Sequence, residues 1–136
     1  MVLNFSVKGG DFVNAGKASS SVKGVLKQLN IGSERIKRTV ISLYEAEVNV
    51  AAHAISGVIT VNIDSSCIKM TVDDKGPGIA DIGLAMSDGY STASEEVREM
   101  GFGAGMGLPN IKRNTDVLNI ESIPGKGTTV KMEINL

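Results

Sequence analysis

Cysteine is nearly absent from this chain: of 136 residues, only Cys67 is one. That excludes an intrachain disulfide and fits a reducing compartment. An excess of either charge is missing too, since 14 Lys and Arg stand against 15 Asp and Glu, with a pI near 5.8. No lysine cluster is dense enough for the basic stripe of a nucleic-acid module, so no nucleic-acid partner is expected. No apolar run approaches the ~18 residues of a membrane span. Residues 1–8 alternate apolar and polar side chains and lack an apolar h-region, so no signal peptide is expected. What remains is ordinary globular composition, 42% apolar and 21% charged. A chain of this length makes one domain over 1–136, burying roughly 68–70% of its unfolded surface. The expectation is a soluble, cytoplasmic protein.

Glycine is unevenly spread. Eight of the 16 glycines fall between Gly76 and Gly107, a window of 32 residues. Glycine concentrated in one connection suggests backbone with φ > 0 or close approach to a ligand, and long irregular connections are usually functional. Outside this window the periodicities are regular. Leu3, Phe5 and Val7 alternate as a strand, and Asp11 reads as the cap of a helix to about Asn30, with Phe12, Ala15, Val22, Leu26 and Leu29 at helical spacing. Gly32 breaks the chain. Ser33 opens a second helix ending near 54–57, where Ile36, Val40, Leu43, Glu47 or Val48, and Ala51 form a stripe. Strands follow at 58–63 and 68–73, joined by Asp64-Ser65-Ser66. After the window come a short helix started by Pro109, a strand at 117–122, a Pro124-Gly125-Lys126-Gly127 turn and a last strand at 128–134. The order β-α-α-β-β-loop-α-β-β predicts an α+β fold: a two-layer sandwich, its mixed, mostly antiparallel sheet covered by helices on one face.

Three stretches suggest chemistry. Glu45 and Asn49 are four apart on the second helix, hence about 5–6 Å apart on one face at the edge of the apolar stripe, with His53 one turn on. A solvated polar face is the plainer reading of that pair taken alone. Asp73-Asp74-Lys75-Gly76-Pro77-Gly78 ends a strand and places a carboxylate beside backbone that can approach a ligand, although an ordinary turn reads the same way. Gly101-Phe102-Gly103-Ala104-Gly105-Met106-Gly107-Leu108-Pro109 opens a helix, where clustered N–H groups and the helix dipole favour a phosphate. Leu108-Pro109 is not the Lys-Ser/Thr ending of a Walker loop, and the position is too late for a dinucleotide fingerprint.

In order and separation these stretches, with Gly127-Thr128-Thr129, resemble the GHKL ATPase/kinase superfamily (the Bergerat ATP-binding fold) over essentially the whole chain. Within it, Glu45 to His53, Met86-Ser87-Asp88-Gly89-Tyr90-Ser91-Thr92 and Gly105-Met106-Gly107-Leu108-Pro109 look closest to the bacterial anti-sigma-factor and stress-switch kinases. The resemblance implies ATP and Mg²⁺ as cofactors, with Asn49 as the Mg²⁺ ligand and Glu45 as general base or orienter of the nucleophile. It implies that Asp74 accepts the adenine amino group, that Gly76 and Gly78 let the chain pass the base, and that Gly103, Gly105 and Gly107 cradle phosphate. Thr128 matches the threonine that reaches adenine through water, and 87–104 matches a mobile lid. A phosphate-neutralising role for Lys112 and Arg113 competes with the plainer one of a solvated helix face. Some relatives carry a phosphate-reaching arginine on the first helix; Ser19 stands there, with Lys17 and Lys23 nearby, so that role is unassigned. His53 and Cys67 read as packing residues.

By the same resemblance the expected activity is that of a protein serine/threonine kinase. It would phosphorylate a Ser or Thr on a STAS-domain anti-sigma antagonist or scaffold, and so regulate a sigma-factor or stress-signalling partner switch. Alternatives are an anti-sigma factor that works mainly by sequestration with a regulatory ATP site, a histidine-kinase-type ATPase domain, and a simple ATPase. The only histidine, His53, lies inside the nucleotide helix and no phosphoacceptor hairpin precedes it, so autophosphorylation is not expected. Chaperone, gyrase and mismatch-repair relatives have further domains that these residues do not supply. A sigma factor is a further expected partner, no membrane is, and relatives are often homodimers.

Overall fold

A computed structural model describes residues 1–87 and 107–136. The expected lid, apart from Ser87, and the glycines Gly103 and Gly105 lie outside the described residues. The elements in chain order are β1 (Val2–Lys8), α1 (Lys17–Gln28), α2 (Ser33–His53), β2 (Ser56–Ile63), β3 (Cys67–Lys75), α3 (Ile82–Ala85), α4 (Gly107–Asn114), β4 (Val117–Ile123) and β5 (Gly127–Asn135).

The strands form one sheet in the order β1-β2-β3-β5-β4. All four pairings are antiparallel, so the sheet expected to be mostly antiparallel is wholly so among the described residues. Alternation decides which face is dry. Ile59, Val61 and Ile63 of β2, Met70 and Val72 of β3, and Val130, Met132 and Ile134 of β5 are buried on one face. Val2, Val58, Val117 and Ile123 lie exposed on the other. The helices cover the dry face. Leu43, Ala46 and Val50 of α2, Val22 and Leu26 of α1, and Leu108 and Ile111 of α4 complete the same core cluster.

Helix α1 starts later than its sequence suggests. Asp11 does not cap it; its carboxylate instead accepts from the backbone N and Nδ2 of Asn14, closing a local turn. The cap comes from another helix. Glu47 of α2, 2% exposed, accepts from Gly16 N (2.9 Å) and Ala18 N (3.0 Å) on Oε2, and from Ser19 N (3.2 Å) on Oε1. A carboxylate facing the core needs donors, and the first turn of a helix has unpaired N–H groups to give. At its other end α1 closes in a Schellman motif around Asn30 (φ 58), with Ile31 N bonded to Leu26 O and Asn30 N to Lys27 O. The helix thus ends by Asn30, where its sequence places the end, ahead of the break at Gly32. The glycine-rich window also contains one element not expected from sequence, α3, capped by Asp81 through Leu84 N.

Candidate active site

Helix α2 is the spine of the site. Glu45 and Asn49 share one half-buried flank, and Glu47, two residues from each, points into the α1 interface on another side. The first turn of α4 lies against that flank. A Cβ on Gly107 would sit 3.0 Å from Asn49 Oδ1 and 3.1 Å from Nδ2, so a larger residue would cover the amide. One turn along α4, Asn110 Nδ2 donates to Glu45 Oε1 at 3.3 Å, while Asn110 Oδ1 accepts from Arg113 Nη1 at 3.3 Å. A carboxylate only accepts and a guanidinium only donates, so these two partners fix which way the Asn110 amide faces.

Asp74 and Thr128 meet at the end of the sheet. The β3–β5 register pairs Asp73 with Thr129, which sets Asp74 opposite Thr128, and Thr128 N donates to Asp74 Oδ1 at 3.1 Å. Burial pushes the Asp74 carboxyl above its ordinary pKa; the Thr128 N–H opposes this and the neighbouring Asp73 charge adds to it. After Asp74 the chain is strapped to the β4–β5 hairpin. Gly76 N donates to Lys126 O (3.1 Å), Gly125 N to Pro77 O (2.7 Å), and Ile79 N to Ser122 Oγ (2.6 Å). Gly78 has φ +73, and a Cβ there would lie 2.5 Å from Ile123 O, so both conformation and space require glycine. Thr128, almost fully buried, also places its Oγ1 2.9 Å from Ser122 Oγ.

The two clusters are joined through α2. A Cβ on Gly76 would come within 3.0 Å of Ala54 Cα, at the end of the helix. Ala54 is five residues past Asn49, about 7–8 Å along the axis. Among the described residues, no group of three His, Cys, Asp or Glu side chains could hold a metal. The described residues therefore offer Mg²⁺ no cage. Asn49 Oδ1, a hard neutral oxygen left uncovered by any side chain at Gly107, suits an ion that brings phosphate oxygens and water with it.

Other sequence candidates lie elsewhere. Ser19 is buried, its hydroxyl donating to Gly16 O, and belongs to the start of α1. Lys112 and Arg113 are exposed on α4. His53 is partly buried, which lowers its pKa and favours the neutral ring. Cys67 is a buried residue at the start of β3. Ser122, Asn110 and Glu47 were not among the sequence candidates. Ser122 left a trace, being a polar residue in phase with Leu118 and Ile120 on the inward face of β4. Glu47 left one as well, as a carboxylate on an apolar stripe. Asn110 left none.

Residues 33–136 match the profile of the family described as histidine kinase-, DNA gyrase B-, and HSP90-like ATPase. The chain is 31% identical to the serine/threonine-protein kinase RsbT of Bacillus subtilis over 113 residues, covering 80% of this chain and 79% of that one. It is 36% identical to an anti-sigma F factor of Thermoanaerobacter over 97% of this chain and 90% of the relative. Among solved structures, a mycobacterial sensor histidine kinase, MprB, shares the fold with a TM-score of 0.57 at 16% identity, covering 98% of this chain and 97% of that one.

Proposed function

Since this chain belongs to the family of histidine kinase-, DNA gyrase B-, and HSP90-like ATPases, we propose that residues 1–136 form one ATP-dependent protein serine/threonine kinase domain. Its substrate is a Ser or Thr on a cytoplasmic STAS-domain protein, and its role is to regulate a partner switch that controls a sigma factor or stress response. The observation that carries this reading is the placement of Glu45 and Asn49 beside the first turn of α4, with Asp74 and Thr128 beyond the end of the same helix. The similarity to RsbT favours a protein hydroxyl over water as the acceptor.

In this reading Asp74 accepts the adenine amine, Thr128 supports it, and Gly76 and Gly78 keep side chains away from the base. Gly107 and the N–H groups that begin α4 receive phosphate. Asn49 would hold Mg²⁺, which when bound neutralises phosphate charge and orients the terminal phosphoryl group. Glu45 takes the proton of the substrate hydroxyl as its oxygen bonds to the γ-phosphorus. The bond from that phosphorus to the β–γ bridging oxygen breaks, and ADP leaves. Asn110 holds one oxygen of Glu45 from the α4 side. The product side chain gains about −1.5 to −2 charge at pH 7, enough to change which partner binds its surface.

The test is incubation of the purified protein with labelled ATP and STAS-domain candidates. Glu45→Gln is expected to lower transfer about 10²–10⁴-fold while nucleotide affinity stays within a factor of about three. Intact ATP binding without transfer to any cognate STAS protein would defeat the kinase assignment. A second reading, an anti-sigma factor that sequesters its target with ATP as regulator, is favoured by the similarity to the anti-sigma F factor. Under that reading Glu45→Gln leaves sigma-factor capture and its ATP dependence unchanged.

A further inference from the structure

Ser122 lies at the centre of the base end of the site, and its hydrogen-bond inventory constrains what Thr128 can offer a ligand. The two residues are directly opposed in the β4–β5 ladder on its inner face. A serine hydroxyl has one proton and two lone pairs. One lone pair of Ser122 Oγ receives Ile79 N–H at 2.6 Å. Gly127 O, 3.2 Å away, can only accept, so it claims the proton. The remaining lone pair faces Thr128 Oγ1 at 2.9 Å. All three contacts are satisfied together only when Thr128 donates to Ser122. What is left on Thr128 Oγ1 is then acceptor capacity alone. Asp74, bonded to the Thr128 backbone and opposite it in the sheet, is also an acceptor when ionised.

We propose that Ser122 is a positioning residue for purine choice: it takes up the Thr128 proton, so two adjacent acceptors face the base and select a 6-amino purine over a 6-oxo purine. This rests on the nucleotide reading above. The amine of adenine offers two N–H groups from one atom. A 6-oxo base sets an oxygen against at least one acceptor, leaving lone pairs opposed and a buried acceptor unpaired. If Ser122 is removed, the Thr128 proton is released and the hydroxyl can turn to donate to O6. Ser122 therefore works through Thr128 and not by touching the base.

The experiment measures affinities of the wild type, Ser122→Ala, Ser122→Thr and Thr128→Val for ATP, inosine triphosphate and purine riboside triphosphate, which has no 6-substituent. The wild type is expected to prefer ATP to inosine triphosphate by about 100-fold, the cost of leaving a buried acceptor unpaired. Ser122→Ala should narrow that ratio by about tenfold, chiefly by improving inosine triphosphate relative to purine riboside triphosphate. Ser122→Thr, which keeps the hydroxyl, should restore the wild-type ratio. A purely structural role, in which loss of the Ile79 anchor loosens the loop, lowers all three affinities in parallel, and that outcome overturns the proposal. If Ser122→Ala does not fold, Thr128→Val decides: an unchanged ratio of ATP to purine riboside triphosphate also overturns it. A wild type that binds none of the three defeats the nucleotide reading itself. ATP binding with the same selectivity in Ser122→Ala defeats only the Ser122 assignment.

Discussion

The two ends of the site are built from different materials. At the base end, Asp74, Thr128 and Ser122 sit on neighbouring strands, and β-ladder register sets their positions. Backbone bonds from Gly76, Gly125 and Ile79 lash the intervening loop to the hairpin. At the chemical end, Glu45 and Asn49 share a helix and meet α4 through side chains, with 3.3 Å contacts at Asn110. In the proposed reading, strands tied by backbone ladders carry recognition, and two helices that meet through side chains carry catalysis.

The largest test of this contrast acts on the spine that serves both ends. Glu47→Ala leaves three N–H groups at the start of α1 without their acceptor, two of them from the buried Ala18 and Ser19. The expected loss is about 3 kcal/mol or more of stability in urea unfolding. ATP affinity per folded molecule should hold, because Glu47 points away from the Glu45–Asn49 flank. A selective loss of ATP binding without loss of stability would show that the two sides of α2 are not separable.

Next in size is Asp74→Asn, expected to weaken ATP about 10–100-fold, the worth of a hydrogen bond to a charged acceptor. The same residue predicts a pH dependence. Its pKa is raised in the fold, so the folded apo protein binds the proton more readily than the unfolded chain. Acidification from above the raised folded value to below the unfolded one therefore favours the fold at this residue. Nucleotide binding is expected to run the opposite way: with Asp74 as acceptor of the adenine amine, it needs the ionised carboxylate and fades once pH falls below the raised value. A titration of ATP affinity should show this fall beginning above the ordinary aspartate range, and Asp74→Asn should flatten it. A fall centred on the ordinary range would mean that the buried carboxyl is not the reading group.

The smallest effect is expected at Asn110. Asn110→Ala frees one Glu45 oxygen and should slow transfer only about 3–10-fold, in line with one neutral-donor hydrogen bond, with ATP affinity unchanged. A change in affinity instead would place Asn110 at the ligand and erase the division between the two ends.

Much of this arrangement was legible from sequence. Alternation located all five strands, and four-residue spacing put Glu45 and Asn49 on one flank of the second helix. The misses have a common cause. Asp11 is a good capping residue upstream of α1, but the chain caps that helix with Glu47, whose partners lie about thirty positions upstream. Ser122 and Asn110 gain their significance from Thr128 across the hairpin and from Ile79 and Glu45, which are distant in the chain. Periodicity reports which side of an element faces the core; it does not report which polar atoms meet there. The short α3 helix escaped because four residues span barely one turn.

Among the described residues, strand β4 lies at the margin of the sheet, paired on one side only. A slip of one residue in its registry would turn Ser122 to the opposite face, and both Ile79 and Thr128 would lose their anchor together. With Ser122 acting as proposed, the alignment of a border strand would be readable as a chemical preference among purines. Turn variants at Pro124-Gly125-Lys126, which is bonded to the loop carrying Gly76 and Gly78, should report on that alignment through nucleotide choice before they report on melting.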